Sequence, residues 1–298
     1  MLFLENLHIK TFIRYSAIIF LYFLCSTGNS NNIKVCSAEN FYGNVAKIIG
    51  GEYVDVTSII SNPDADPHLF SVSPNTAKAI SRAQIIIYNG ADYDPWMIQL
   101  LSSKQRDNKH TIICVAELAG VKKGNNPHIW YKPDTFPKLA SLLAQKFSEI
   151  EPENKTYFKN NLDSFNDQYK KIYNLIKSIK SSFSGTNVIA TEPIFGYMSD
   201  ALGFNMKGER FQWIIMNGSE PSPKITAAFI DEIKSNTIKI LYYNNQVTDP
   251  TTENILKLAK DNNIKTIGVS ETMPNNQNVI QWLAKSLEDT QKALTKSN

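Results

Sequence analysis

Four residues in this chain carry side chains suited to holding a metal ion and stand where a ligand could reach them: His68, His128, Glu192 and Glu271. Two imidazoles and two carboxylates offer nitrogen and oxygen donors together, and the two carboxylates cancel the charge of a divalent cation. Such a set suits Mn²⁺, Fe²⁺ or Zn²⁺. Of the four histidines, His8 falls in an N-terminal leader and His110 just ahead of an expected strand, which leaves His68 and His128. Each follows a proline, in Asp66-Pro67-His68 and Asn126-Pro127-His128, which stiffens the backbone just before it. The four positions form no local metal signature of the H-E-x-x-H kind. The elements between them must therefore bring them together.

Those elements alternate strand and helix. In the first half, strands are expected over 33–36, 54–60, 85–88 and 111–115. Helices are expected over 39–49, from Ser73-Pro74 to 81, from Trp96, and from Pro133 to about 150. The second half repeats the rhythm, with strands at 187–190, 211–216, 238–243 and 266–269. Its helices fall near 195–202, from Ser222-Pro223 to 234, over 251–261, and from about 278 onward. Between the halves, 152–183 holds no glycine and no further proline. Its apolar residues Phe158, Leu162, Phe165, Tyr169, Ile172, Ile176 and Ile179 step by four and three, the mark of one helical face. About thirty residues at 1.5 Å each span on the order of 45 Å, enough to belong to two lobes. The fold class that follows is α/β, with two lobes, each a parallel sheet flanked by helices, joined by one long rigid helix. The expected boundaries are 1–28 for a signal peptide, 29–151 for the N-terminal lobe, 152–183 for the connecting helix and 184–298 for the C-terminal lobe. Ligands of such sheets bind beyond the strand C-termini. His68 and His128 follow the second and fourth strands, and Glu192 and Glu271 follow the first and last strands of the second half.

The chain has 298 residues, 42% of them hydrophobic, and a net charge of +3. No basic run with interleaved aromatics is present, so a nucleic-acid partner is not indicated. Lys10 and Arg14 precede an apolar run over 17–24 and then Ser26-Thr27-Gly28-Asn29-Ser30, the layout of a secretory signal peptide. A lipid anchor on Cys25 is not expected, because the large Tyr22, Phe23 and Leu24 precede it where small residues belong. Cys36 and Cys114 are expected as free, buried thiols on separate strands. Asp64 and Asp66 could serve as outer partners of His68, Trp96, Trp130 and Tyr197 could roof the cleft, and Asn244, Asn245 and Gln246 could donate hydrogen bonds within it.

Taken in order, several short motifs resemble the zinc/manganese-binding subunits, the solute-binding proteins, of bacterial ABC importers. In the first half they are Asp66-Pro67-His68 with Ser73-Pro74, Tyr88-Asn89-Gly90-Ala91, and Asn126-Pro127-His128-Ile129-Trp130. In the second they are Phe195-Gly196-Tyr197, Glu220-Pro221-Ser222-Pro223 and Glu271-Thr272-Met273-Pro274. The resemblance implies two lobes on one long helix, with one Zn²⁺ or Mn²⁺ in the cleft as cargo for a permease and its ATPase. It puts His68 and His128 on the family's two first-lobe ligands. Glu192 falls where zinc-type members often carry a third histidine, and Glu271 near the final acidic ligand, for which Asp249 is the alternative. The histidine-rich loop of many zinc-type relatives is missing before His128. The leading expectation is an exported, monomeric, non-catalytic metal carrier; the rival is a secreted metal-dependent hydrolase with Glu192 as general base instead of a ligand. A carrier of an organic ligand on the same frame is a third.

Overall fold

Two short parallel sheets, each covered by helices, are what these strand sequences require. The computed structural model describes residues 32–62, 70–102, 110–246 and 249–295. His68, Asp64, Asp66 and the leader with Cys25 lie outside the described residues. The first half runs β1 (Ile33–Glu39), α1 (Asn40–Gly50), β2 (Val54–Ile60), α2 (Pro74–Arg82), β3 (Ile85–Tyr88), α3 (Pro95–Leu101), β4 (Thr111–Cys114), α4 (Val115–Leu118) and α5 (Thr135–Ile150). The long α6 (Lys155–Phe183) follows. The second half runs β5 (Asn187–Ala190), α7 (Gly196–Leu202), β6 (Asn205–Lys207), α8 (Glu209–Met216), α9 (Pro223–Lys234), β7 (Ile240–Asn244), α10 (Pro250–Asp261), β8 (Lys265–Val269) and α11 (Val279–Thr295).

Both sheets have the same strand order, β2-β1-β3-β4 and β6-β5-β7-β8, and every pairing is parallel. In each sheet the chain moves outward on one side, then crosses back to the other. The reversal lies between β1 and β3 in one lobe and between β5 and β7 in the other. A crevice opens at such switch points, beyond the strand C-termini. Fully buried β3, Ile85-Ile86-Ile87-Tyr88, shows why these strands read as continuous apolar runs: helices cover both faces.

Helix α6 buries Phe158, Phe165, Tyr169, Ile172 and Ile179, with Leu162 and Ile176 packed at the margin. Its wet face carries ion pairs such as Lys159–Asp163 and Lys170–Asp167. Its 29 residues span about 43 Å at 1.5 Å each. One apolar core continues through both halves. Tyr131 meets Phe195 at 5.1 Å and Trp282 at 5.5 Å between ring centroids, and Phe41 meets Trp282 at 5.6 Å. The last helix, α11, packs on α6 and reaches back to α1.

The expected strand at 211–216 is a correction. Those residues form helix α8, and the strand that precedes it is β6, Asn205–Lys207. Phe211 and Gln212 are buried while the rest of that apolar run is only half-covered. Gly208, at φ 68°, turns the chain between the two elements. Cys36 on β1 and Cys114 at the end of β4 are separated by β3 and are free thiols, Cys36 buried and Cys114 half-buried.

Candidate metal centre

His128 sits in a rigid loop after α4. Its imidazole is fully buried, edge-on to Trp130 at 5.2 Å and to Tyr93 at 6.2 Å between ring centroids. Asn126 organises the loop: its Oδ1 accepts from the His128 backbone N–H at 3.0 Å and lies 2.7 Å from His128 Nδ1. Asn89 Nδ2, from the first lobe's switch point, donates to Pro127 O at 2.9 Å. The proline-stiffened imidazole expected from the sequence is thus pinned from two sides.

Glu271 follows β8 and is 1% exposed. Its carboxylate is gripped from both lobes. Tyr93 Oη donates to Oε2 at 3.1 Å, and Asn244 Nδ2, at the end of β7, donates to Oε1 at 2.8 Å. Gln246 holds the backbone beside it: Oε1 accepts from Glu271 N and Thr272 N, and Nε2 donates to Thr272 Oγ1. Asn40 makes a reciprocal pair with Met273, its Nδ2 donating to the carbonyl at 2.8 Å and its Oδ1 accepting from the amide at 3.0 Å. Of the three cleft donors expected from the sequence, Asn244 and Gln246 serve Glu271, while Asn245 uses its backbone N–H on Val269 O.

Glu192 follows β5, at the second lobe's switch point, and is 7% exposed. The adjoining Pro193 O accepts from Asn126 Nδ2 at 2.6 Å, which brings the His128 and Glu192 loops against each other. Asp249 is engaged differently. Its Oδ1 accepts from the backbone N–H of Thr251 and Thr252, and its Oδ2 from Thr252 Oγ1, so it caps α10. Trp130 is core, fully buried against Phe41 and Tyr93. Trp96 packs on Phe70, and Tyr197 Oη donates to Asn126 O at 2.8 Å.

Sequence reasoning missed Tyr93 and the acid pair Glu39–Asp94. Three consecutive residues, Gly90, Ala91 and Asp92, have φ of 77°, 51° and 66°. Two non-glycine residues in that region cost roughly 1–2 kcal/mol each. Asp94 compensates, accepting from Asn89 N at 2.7 Å and Gly90 N at 2.8 Å, and the bend delivers Tyr93 into the cleft. Glu39 closes β1 beside Asp94, with both carboxyls essentially without exposure. Burial, and then the charge of Asp94, pushes Glu39 well above the usual carboxylate range, and burial pushes Asp94 up to about 6. Asp94 holds the two backbone donors, so Asp94 carries the charge and Glu39 the proton. Burial and the nearby Glu271 and Glu39 hold Tyr93 well above the usual phenol range, so it remains a donor.

The cleft therefore brings His128, Glu192 and Glu271 to facing loops of the two lobes, linked through Tyr93 and Asn126. Among the described residues no three His, Cys, Asp or Glu side chains converge closely enough to hold an ion by themselves. The fourth expected ligand, His68, lies outside the described residues.

A family model, "Zinc-uptake complex component A periplasmic", matches residues 35–294. The chain belongs to this family. The zinc-uptake component A fold is shared with relatives named for three different metals. A manganese ABC transporter substrate-binding lipoprotein, PsaA of Streptococcus mitis, is 23% identical over 262 residues, 80% of this chain and 82% of that one. An iron ABC transporter substrate-binding lipoprotein, MtsA of Streptococcus pyogenes serotype M1, is 24% identical over 261 residues, 80% of this chain and 82% of that one. The solved structure of the periplasmic zinc-binding protein TroA from Treponema pallidum superposes with a TM-score of 0.74. It covers 88% of this chain and 99% of that one at 16% identity. At that identity the superposition bears on the fold alone, which is the two-lobe, long-helix architecture expected from the sequence.

Proposed function

We propose that this zinc-uptake component A protein is an exported solute-binding protein. It captures one divalent transition metal, Zn²⁺ or Mn²⁺, between its lobes and delivers it to the permease of an ABC importer, driven by that importer's ATPase. The observation that carries the reading is the buried Glu271 carboxylate, held by Tyr93 of one lobe and Asn244 of the other, with the Tyr93 ring edge-on to the buried imidazole of His128. Buried charges in proteins are paired or bind metals. His68, His128, Glu192 and Glu271 are the proposed ligands, and Asp249 is set aside because its carboxylate caps α10. Relatives named for manganese and iron support the same function.

The protein is a carrier and not an enzyme in this reading, because four protein ligands leave little room for a reactive water. The hydrolase alternative needs an open coordination position and a free general base, and nothing among the described residues or the relatives named above favours it. Residues 1–28 are proposed as the export signal, followed by lobes over 29–151 and 184–298 joined by 152–183, acting as a monomer. Relatives that are named lipoproteins lend no support to an unacylated Cys25. Intact-mass measurement of membrane and soluble fractions decides that point.

The test is competitive loading of the purified protein with Mn²⁺ and Zn²⁺, read by elemental analysis and calorimetry. One metal per chain is expected, with strong weakening by His68→Ala and by His128→Ala. Unchanged affinity in both variants removes the imidazoles from the site, and sustained metal-dependent hydrolysis replaces the carrier reading.

A further inference from the structure

We propose that Asn126 is a positioning residue that locks His128 into one tautomer and ties it to the Glu192–Pro193 turn of the opposite lobe. The metal-binding part of this inference rests on the reading of His128 as a ligand. The orientation of the amide follows from two backbone groups that do not involve the imidazole. Asn126 Oδ1 faces the His128 backbone N–H at 3.0 Å, which can only donate. Asn126 Nδ2 faces Pro193 O at 2.6 Å, which can only accept. Turning the amide over would set N–H against N–H and oxygen against oxygen. The same Oδ1 lies 2.7 Å from His128 Nδ1. That ring nitrogen must therefore donate, which puts the proton of the neutral imidazole on Nδ1 and the lone pair on Nε2. A hydrogen bond from Nδ1–H fixes the ring plane and raises the basicity of Nε2 toward a metal.

The other half of the device lies in the second lobe. Pro193 begins the turn Pro193–Phe195 that leads from Glu192 into α7. Tyr197 Oη, on α7, donates to the backbone carbonyl of Asn126 at 2.8 Å. A Cβ on Gly196 would stand 2.9 Å from Asn126 Nδ2, so glycine leaves room for the amide. One side chain thus serves a first-lobe imidazole and a second-lobe carboxylate loop together. Alanine at 126 removes both contacts. Aspartate keeps an acceptor for Nδ1–H but sets an oxygen against Pro193 O.

The experiment uses ¹⁵N-labelled full-length apo protein at pH 8, with two-bond ¹H–¹⁵N correlations assigning the His128 tautomer, and titration with Mn²⁺ or Zn²⁺ alone. Wild type is expected to show Nδ1–H. Asn126→Ala is expected to lose that preference and to bind metal about 10–100-fold more weakly. Asn126→Asp should restore the tautomer and recover part of the affinity. The proposal is overturned if wild-type His128 is protonated at Nε2, or if Asn126→Ala binds metal like wild type while His128→Ala is weakened. If His128→Ala binds like wild type, the ligand reading falls and takes the metal-positioning role with it, whereas the tautomer measurement tests the lock independently. Should Asn126→Ala fail to fold, the wild-type spectrum and Asn126→Asp still decide.

Discussion

Replacing Tyr93 with phenylalanine isolates the hydrogen bond by which the first lobe holds the Glu271 carboxylate. The ring is buried, with its centroid 4.9 Å from that of Trp130, and phenylalanine fills the same space without a cavity. What is lost is the 3.1 Å bond from Oη to Glu271 Oε2. A hydrogen bond to a charged group contributes about 1.5–3 kcal/mol net. Asn244 still holds Oε1, so the carboxylate stays oriented. For a domain of this size about 1 kcal/mol moves Tm by roughly 2–4 °C, which gives a fall of about 3–12 °C for the apo protein. A metal on Glu271 neutralises the charge that the phenol otherwise offsets, so the loaded protein should lose less. Donors to a ligating carboxylate compete with the metal for its electrons; an acceptor from an imidazole, as at Asn126, does the opposite. Differential scanning calorimetry of wild type and Tyr93→Phe, with and without Mn²⁺, is the assay. The variant should show the larger metal-induced rise in Tm. Equal losses in the apo and loaded forms would refute contact between Glu271 and the metal, and no loss in either would refute the energetic role of the cross-lobe bond.

The acid pair gives a pH dependence of definite sign. Asp94 titrates at about 6 in the fold against an ordinary 3.8, and Glu39 is also raised. The folded state therefore binds protons that the unfolded chain does not, and apo stability should rise as pH falls from about 6 toward 4. Asp94 alone supplies about 3 kcal/mol at 1.36 kcal/mol per pH unit; Tm of the apo protein should increase in that window, and Asp94→Asn should shrink the increase to the part that the burial of Glu39 supplies. Metal affinity should move oppositely, weakening below about pH 6.5 as imidazole protonates, which calorimetry at pH 7.5 and 5.5 would detect. Gly90→Ala places a Cβ 2.5 Å from Cys114 Sγ at φ 77° and should cost about 2–4 kcal/mol in urea unfolding. Burial pushes the Cys36 thiol up to about 12, so it should resist thiol reagents in the native protein and react once the chain is unfolded.

Most of the architecture was legible because its strands are fully covered. A run such as Ile85-Ile86-Ile87-Tyr88 admits few other readings when Asn89-Gly90 follows it, and the four-and-three stepping of Phe158 to Ile179 identifies the long helix directly. β6 was not legible: Asn205-Met206-Lys207 is a three-residue edge strand without an apolar run. The Phe211–Met216 run, short and apolar, fits strand or helix equally until Gly208 is seen to reverse the chain. For the proposed site, position after a strand marked His128, Glu192 and Glu271 as candidates. Their partners stayed hidden because they act across the fold, Tyr93 on Glu271 from 178 residues away and Asn126 on Pro193 from 67. Glu39 read as the start of a helix, since nothing local marks a carboxyl as buried beside another. The signal that could have found Tyr93 is the Asn-Gly turn closely followed by Asp94, an acceptor for the turn's own amides.

The most direct test is diffraction from metal-loaded crystals measured at the absorption edge of Mn or Zn. One anomalous peak per chain is expected, about 2.0–2.2 Å from nitrogens of His68 and His128 and from carboxylate oxygens of Glu192 and Glu271. A peak held by other residues, or an empty cleft in protein that elemental analysis finds loaded, would contradict the proposed site.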